Sequence, residues 1–499
     1  MSSPQQPNIV LVVSDQERSR SWLPPSVSLP WREKLRADGC ELTNYYTHSS
    51  PCSPSRASMF VGQYLAQHGV VDNVIWPMHK ELDPATPTIG SILNEAGYRS
   101  SYIGKWHLSQ AVSPDMTAYG FHDWEGNDRH FMGWAGTGVH FDPIIASNAA
   151  SWIRDNGANA TEPWFLTVAL VNPHDVMWFP IDQPAYNEDP AHADEVALVK
   201  QLLAASKWKD DELLPVFTEQ YAEVCDELPA NFDDDLLDKP GTQRQWRWDQ
   251  QHGMWGYIDP KDTKSWLRVL DYYVKLHQMA DESLGTVLSA LIDTGSYDDT
   301  VVIFTSDHGD MCGSHGLRSK GPFVYEEIMH VPATVKAPGV TTPGSQTAAL
   351  GTHVDLPSTI CALAGVDPTQ YPSLKGTDLT PALRDTSAEP RDHVLFAHDT
   401  AHTANINQTR YAIRGFYDGQ TKYARYYGVG GGKPASGPFD KGGHKLYDVD
   451  AAFEDQEHEW YDLHEDPHEL NNLAHDRGRR AELRANFDRL LEYERAEMA

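Results

Sequence analysis

The sequence predicts an α/β protein: a mostly parallel sheet sandwiched by helices, with a smaller C-terminal α+β domain containing an antiparallel sheet. Residues 8–13, 164–170 and 300–305 are continuous runs of apolar and β-branched side chains, the pattern of strands buried on both faces. The runs lead to the polar clusters Ser14-Asp15-Gln16, Asn172-Pro173-His174-Asp175 and Ser306-Asp307-His308-Gly309-Asp310. Polar groups at the carboxyl ends of buried strands are where open α/β sheets hold their ligands. After residue 386 the runs shorten and alternate with Gly and Asp turns, which favours an antiparallel sheet.

Taken in order, the strand at 8–13 opens the sheet, and residues 31–38 read as a helix closed by Gly39. A short strand at 40–46 leads to a loop and a second helix that carries Ala57, Met59 and Phe60 inward. A helix at 88–96 ends at Gly97, and a strand at 99–103 delivers Gly104-Lys105-Trp106-His107. A helix at 146–154 precedes the strand at 164–170. From 181 to 264 the periodicity dissolves into an acidic, turn-rich insert. Such stretches serve as lids, binding loops or assembly surfaces, and Trp246, Trp248 and Trp255, with Trp178 just ahead, are candidates to frame an organic group. Residues 266–292 form a long helix with apolar positions at helical spacing. A strand at 331–337 and a helix at 353–364 complete a larger domain spanning 1–386. In the smaller domain, 387–499, strands are expected at 394–396, 411–414 and 422–426, with a Gly-rich loop at 428–443, a run at 459–463 leading to Asp466-Pro467, and a final helix at 480–498.

A chain of 499 residues exceeds what one compact core ordinarily serves. Its hydrophobic fraction of 40%, with 15 Trp and 22 Tyr, is that of a folded protein. A formal net charge of −31 argues against a nucleic-acid partner, which needs a basic face, and against long polyanions. A small anion in a locally basic pocket stays compatible. No apolar run is long enough to span a bilayer, and the short polar stretch ahead of residue 8 does not read as a signal peptide. The five cysteines are scattered and odd in number, which speaks against a disulfide framework. A cytoplasmic protein with no membrane partner is the expectation.

Ser49-Ser50-Pro51-Cys52-Ser53-Pro54-Ser55-Arg56 places a cysteine just ahead of a helix start, with Ser49 and Ser50 available as caps and Pro54 at an early helical position. A helix N-terminus offers free N–H groups and partial positive charge to an anion. Arg56, one turn in, adds a planar donor fork. Asp15-Gln16 with Asp307-His308 supply two carboxylates, an amide oxygen and an imidazole, which can close around one divalent cation: Ca²⁺ or Mg²⁺ by the oxygens, Mn²⁺ by the imidazole. Lys105 and His107, if extended, share one side of the chain and suit an anionic ester. His174 and Lys320, the latter in Gly316-Leu317-Arg318-Ser319-Lys320-Gly321, lie in two further polar loops.

The run Cys52-x-Pro54-Ser55-Arg56, with the ordered blocks around Asp15, Lys105, His174 and Asp307 to Lys320, resembles the formylglycine-dependent type I sulfatases of the alkaline phosphatase superfamily, relatives of the phosphonate monoester hydrolases. The resemblance implies an alkaline phosphatase-like fold. It implies that Cys52 is oxidised to formylglycine (3-oxoalanine) by a formylglycine-generating or equivalent maturation enzyme, and that the hydrated aldehyde attacks sulfur with Asp307 as base. One divalent cation, Ca²⁺ ahead of Mn²⁺ or Mg²⁺, is implied at Asp15, Gln16, Asp307, His308 and the modified Cys52. Arg56, Lys105, His174 and Lys320 are the implied substrate binders. His107 is implied in collapse of the intermediate, and His174 or Lys320 in protonating the leaving alcohol. Gln16 and His308 stand where many members carry Asp and Asn.

The expected activity is hydrolysis of a sulfate monoester, aryl, small alkyl or sugar, to an alcohol and inorganic sulfate. Phosphonate monoester or phosphodiester hydrolysis at the same site is the alternative, and a non-catalytic anion- or metal-binding protein the remote one. The partners expected are the small anionic ester and the maturation enzyme; a homo-oligomer is compatible with the sequence. The His- and Asp-rich segment Asp462-Leu463-His464-Glu465-Asp466-Pro467-His468-Glu469 resembles a C-terminal turn of the same family more than a second metal site.

Overall fold

In the computed structural model the first apolar run is strand β1 (Asn8–Asp15), at the middle of a large sheet. The structure describes residues 6–499 except 76–78, 112, 125–127, 129–132, 182, 195, 198–216, 218, 253–254, 400–411 and 428–448. The other strands are β2 (Cys40–Tyr46), β3 (Arg99–Gly104), β4 (Trp164–Pro173), β5 (Thr300–Ser306), β6 (Ala333–Lys336) and β7 (Ser345–Thr352). They lie in the order β3-β4-β1-β5-β6-β2-β7. β1 pairs in parallel with β4 and β5, β3 with β4, and β2 with β7; β6 runs antiparallel between β5 and β2.

The longer helices are α1 (Pro30–Asp38), α2 (Cys52–Val61), α3 (Ile89–Glu95), α4 (Thr137–Asp155), α5 (Gly241–His252), α6 (Thr263–Asp293), α7 (Leu356–Leu363) and α8 (Arg480–Tyr493). Successive side chains of β1 go to opposite faces. Ile9, Leu11 and Val13 join Met59 and Phe60 of α2, Ile92 of α3 and Ile360 of α7. Val10 and Val12 join Ile145 and Ala149 of α4 and Leu284 and Leu288 of α6. Neither face meets water, so the sequence is apolar without a break. A separate, smaller sheet is antiparallel: β8 (Val394–His398), β9 (Ile413–Tyr417), β10 (Thr421–Tyr426) and β11 (Glu457–Asp462), ordered β11-β10-β9-β8. Leu483, Phe487 and Leu490 of α8 pack with its Phe416, Tyr423 and Trp460.

The structure departs from the sequence expectations in several places. β7 was not foreseen. It is an edge strand with half-exposed positions, and its Ala and Gly residues carry little strand signal. α4 begins at Thr137, well before the expected 146, because Pro143 inside it interrupts the helical pattern. The insert contains α5, and Trp178, Trp246 and Trp255 are buried in its packing, with Trp248 half-buried. They are chiefly core, not open aromatic walls. The helix expected at 353–364 is a 3₁₀ turn (His353–Asp355) followed by α7. The loop expected at 428–443 lies outside the described residues. Asp466 accepts the N–H groups of Leu470 (3.1 Å) and Asn471 (2.7 Å), as a turn residue does. All five cysteines are free thiols. Among the described residues no helix is long and apolar enough to cross a membrane.

Candidate active site

The register of the central strands brings the polar clusters together. Ser14 lies beside Ser306 of β5, and Asp15 beside Pro173 of β4. Asp15-Gln16, His174 and Asp307-His308 therefore emerge at one end of three neighbouring strands. α2 points its first turn at this end, and every one of its residues is buried. Gly62 ends the helix at φ 62°, where a Cβ would sit 2.8 Å from Leu374 Cδ2, so both conformation and space call for glycine.

Cys52 is the first residue of α2, not a position ahead of it. The N-cap is Pro51, and Ser49 and Ser50 do not cap; the Ser49 hydroxyl donates to Ser50 O instead (3.3 Å). The Ser53 N–H goes to Asn73 Oδ1 at 3.0 Å. Cys52 Sγ has Lys320 Nζ at 3.0 Å, His308 Nε2 at 3.3 Å, Asp15 Oδ1 at 3.7 Å and Lys105 Nζ at 3.8 Å. Arg56 donates through Nε to Asp307 Oδ2 (2.9 Å), through Nη2 to Asp15 Oδ2 (3.2 Å) and through Nη1 to Lys105 O (2.9 Å). The sequence expectation gave this guanidinium to the oxyanion. The geometry turns its three nitrogens to two carboxylates and a carbonyl.

Lys105 and His107 do not alternate along an extended segment, because His107 sits at φ 59°. The Ser53 hydroxyl donates to His107 O (2.5 Å), and among the described residues neither ring nitrogen of His107 has a hydrogen-bond partner. His174 lies in a 3₁₀ turn after β4, and its Nδ1 has no hydrogen-bond partner among the described residues. The backbone of Gly133, at φ 98°, comes so close that a Cβ there would be 2.4 Å from His174 Cε1. Lys320 Nζ also donates to Gln16 Oε1 at 2.7 Å.

The charges settle one another in this dry space. Burial pushes the Asp15 carboxyl up, but Lys105, with Lys320 and Arg56, holds it well below the usual carboxylate range. Burial and Asp15 push the Cys52 thiol up, and Lys105 and Lys320 bring it below its ordinary value. Burial, then the Lys105 and Arg56 cations, keep His107 neutral; burial and Lys320 do the same for His174. Burial opposes charge on His308, and Asp307 overcomes it, raising that imidazole.

Asp15, Cys52, Asp307 and His308 each bring a ligand atom within 4.8 Å of the others, all buried. Two carboxylates and an imidazole around one point, with an amide oxygen adjacent, fit a divalent cation. The sequence reading missed the residues that hold these loops. Asp128 accepts the N–H groups of Trp106 (2.9 Å) and His107 (3.0 Å), and Asp142 those of Val171 (2.7 Å) and Asn172 (2.8 Å). Burial lifts their carboxyls to about 6 and about 7. Arg318 donates to Phe179 O (2.6 Å), Gln250 O (3.0 Å) and Gly256 O (2.5 Å), tying the insert to the Lys320 loop. A single Asp or Arg with backbone partners far away in sequence leaves no local motif.

Known proteins share this arrangement of chain. The sulfatase family model matches residues 7–366. The chain is 29% identical over 349 residues to the uncharacterized sulfatase YidJ of Escherichia coli (strain K12), a match that covers 67% of this chain and 62% of the relative, less than two thirds of its length. It is 29% identical over 437 residues to arylsulfatase K of Danio rerio, covering 83% of this chain and 75% of that one. The solved structure of BT4656 in complex with its substrate D-glucosamine-2-N,6-O-disulfate superposes with a TM-score of 0.68 at 22% identity, over 98% of each chain. Phosphonate monoester hydrolase SpPMH from Silicibacter pomeroyi does so with a TM-score of 0.68 at 20% identity, over 99% of this chain and 96% of that one. These two likenesses speak for the fold, the alkaline phosphatase-like one expected. The matched span 7–366 holds the whole cluster from Asp15 to Lys320, and the chain belongs to the sulfatase family.

Proposed function

We propose that the protein hydrolyses a sulfate monoester to an alcohol and inorganic sulfate, with residue 52 as the nucleophile position. The observation that carries this reading is the convergence on one buried atom: two ammonium groups, an imidazole and a carboxylate lie 3.0–3.8 Å from Cys52 Sγ. Charge on a transferring sulfuryl group has to be offset from several sides, and cations already fixed in a water-poor site do so without reorganising.

Oxidised to formylglycine, residue 52 supplies a hydrated-aldehyde oxygen as nucleophile. Asp15, Gln16, Asp307, His308 and residue 52 would hold a divalent cation, Ca²⁺ by preference, whose chemistry is to polarise ester oxygens and offset their charge. Arg56 fixes the carboxylates of Asp15 and Asp307, so that Asp307 faces residue 52 as proton acceptor. Lys105 and Lys320 bind sulfuryl oxygens. His107 stays neutral beside them and can accept the proton of the remaining hydrate hydroxyl as the C–O bond to sulfate breaks, sulfate leaves and the aldehyde re-forms. The S–O bond to the alcohol breaks, and the departing oxygen takes a proton from His174 or Lys320. An anionic ester beside His174 supplies the negative charge that raises this otherwise depressed imidazole.

Phosphonate monoester or phosphodiester hydrolysis is the second reading, favoured by His308 beside Cys52 Sγ and by Gln16 in place of an acid. A matched aryl sulfate and aryl phosphonate pair decides between them: kcat/KM is expected to be higher for the sulfate, and the reverse order installs the second reading. The mass of the Cys52 peptide tests the nucleophile. The aldehyde lacks the sulfur and two hydrogens of the thiol and gains an oxygen, and an active enzyme with an intact thiol overturns the assignment.

A further inference from the structure

The side-chain amide of Gln16 has an oxygen and an NH₂ of nearly the same shape, and hydrogen bonding alone decides which of them faces the site. The backbone of this residue is anchored: it sits at φ 67°, its N–H donates to Asp307 Oδ1 (3.0 Å), and its O accepts from Tyr273 Oη (2.6 Å). At the amide, Nε2 donates to Asp310 Oδ2, and Oε1 accepts from Lys320 Nζ at 2.7 Å. The same ammonium lies 3.0 Å from Cys52 Sγ. Asp310 is 1% exposed, and its other oxygen accepts the Cys312 N–H at 2.7 Å. A carboxylate accepts and does not donate, so the NH₂ must meet Asp310 and the oxygen must meet Lys320 and the nucleophile position.

We propose that Asp310 is a positioning residue that turns the Gln16 carbonyl oxygen toward the cation-holding side of the Cys52 site. The proposal rests on the reading that Asp15, Cys52, Asp307 and His308 hold a divalent cation. Asp310 touches none of these side chains' reacting atoms; it acts through the one amide, as groups behind metal ligands do. The consequence of Asp310→Asn is specific. The substituted amide keeps its oxygen on the Cys312 N–H and turns its own NH₂ to Gln16. Gln16 then has to give it the oxygen and point its NH₂ at Lys320 and the cation. The exchange Asp310→Asn with Gln16→Glu leaves net charge unchanged and again presents an oxygen to the centre.

Ca²⁺ alone, titrated calorimetrically into metal-free protein, reads the orientation without turnover. Asp310→Asn is expected to weaken Ca²⁺ binding about 10–100-fold, and the double exchange to bring it back toward the wild-type value. Asp310→Asn binding Ca²⁺ as wild type does, or the exchange protein binding no better than Asp310→Asn, overturns the proposal. Neutron diffraction from deuterium-exchanged wild-type crystals gives the answer even if the single variant does not fold. Deuterons of the Gln16 amide are expected on the Asp310 side, and deuterons on the Lys320 side overturn it. If wild type takes up no Ca²⁺, the cation reading falls, and the neutron map still decides the role of Asp310.

Discussion

Lys105 Nζ lies 2.5 Å from Asp15 Oδ2, with both side chains fully buried, and 3.8 Å from Cys52 Sγ. One ammonium serves a carboxylate and the Cys52 sulfur together. Burial alone would neutralise both partners; Asp15 keeps Lys105 above its ordinary value, and Lys105 leads the cations that hold Asp15 below its own. Lys105→Ala is therefore expected to lower kcat/KM for an aryl sulfate about 10²–10³-fold. Ca²⁺ affinity should not fall, because a cation that competes for Asp15 has gone. Steady-state kinetics and calorimetry on the same preparation check both halves.

Cys52→Ala tests the centre of the site. Multiple turnover is expected to drop by about 10³-fold or more, since the groups around residue 52 act as a unit and not additively. Turnover comparable to wild type sinks the nucleophile assignment.

Arg56 is expected to matter for stability as much as for the proposed reaction. It is fully buried and joins Asp307 to Asp15. Arg56→Ala leaves two buried carboxylates facing each other, and breaking such a pair costs about 3–5 kcal/mol. Ca²⁺ brings positive charge to the same two groups, so it should stabilise this variant more than it stabilises wild type. Urea unfolding with and without Ca²⁺ measures the difference, and an equal gain in both proteins contradicts the account.

His48 ties the α2 region to the small sheet. Its Nδ1 lies 2.7 Å from Leu395 O and its Nε2 accepts the Leu65 N–H at 3.0 Å, so the neutral ring uses both nitrogens. Burial lowers its pKa from 6.5 to about 3. Below 6.5 the unfolded chain takes up a proton that the folded protein refuses until about 3, so this contribution to stability is lost as pH falls through that window. The slope it adds is about 1.4 kcal/mol per pH unit. Thermal unfolding followed across that range should show a shallower acid dependence for His48→Gln, and an unchanged slope counts against it.

β1, β4 and β5 were legible because burial on both faces writes an unbroken apolar run, and the site residues because they close those runs. Cys52 and Arg56 were legible as a short ordered pattern. What escaped was written by contacts across the chain. Asp128, Asp142 and Asp310 bind backbone or amide groups and have no neighbours in sequence that announce them. The left-handed turn at His107 breaks an alternation that the sequence alone suggests. β7 is half exposed, and Pro143 masks the first part of α4. The Trp residues of the insert looked like a binding surface and are mostly packing, since composition does not tell an inward indole from an outward one.

The burial of α2 from end to end sets an order of events. An enzyme that edits a side chain must take several residues of extended chain into its own cleft, and the finished protein has none to lend here. For the maturation proposed at residue 52, the chance lies in the nascent chain and closes when this helix docks beneath the sheet. Folding and editing then run as competitors on one clock. A molecule that folds first exposes residue 52 again only by opening, so the active fraction of a preparation would record which of the two was faster.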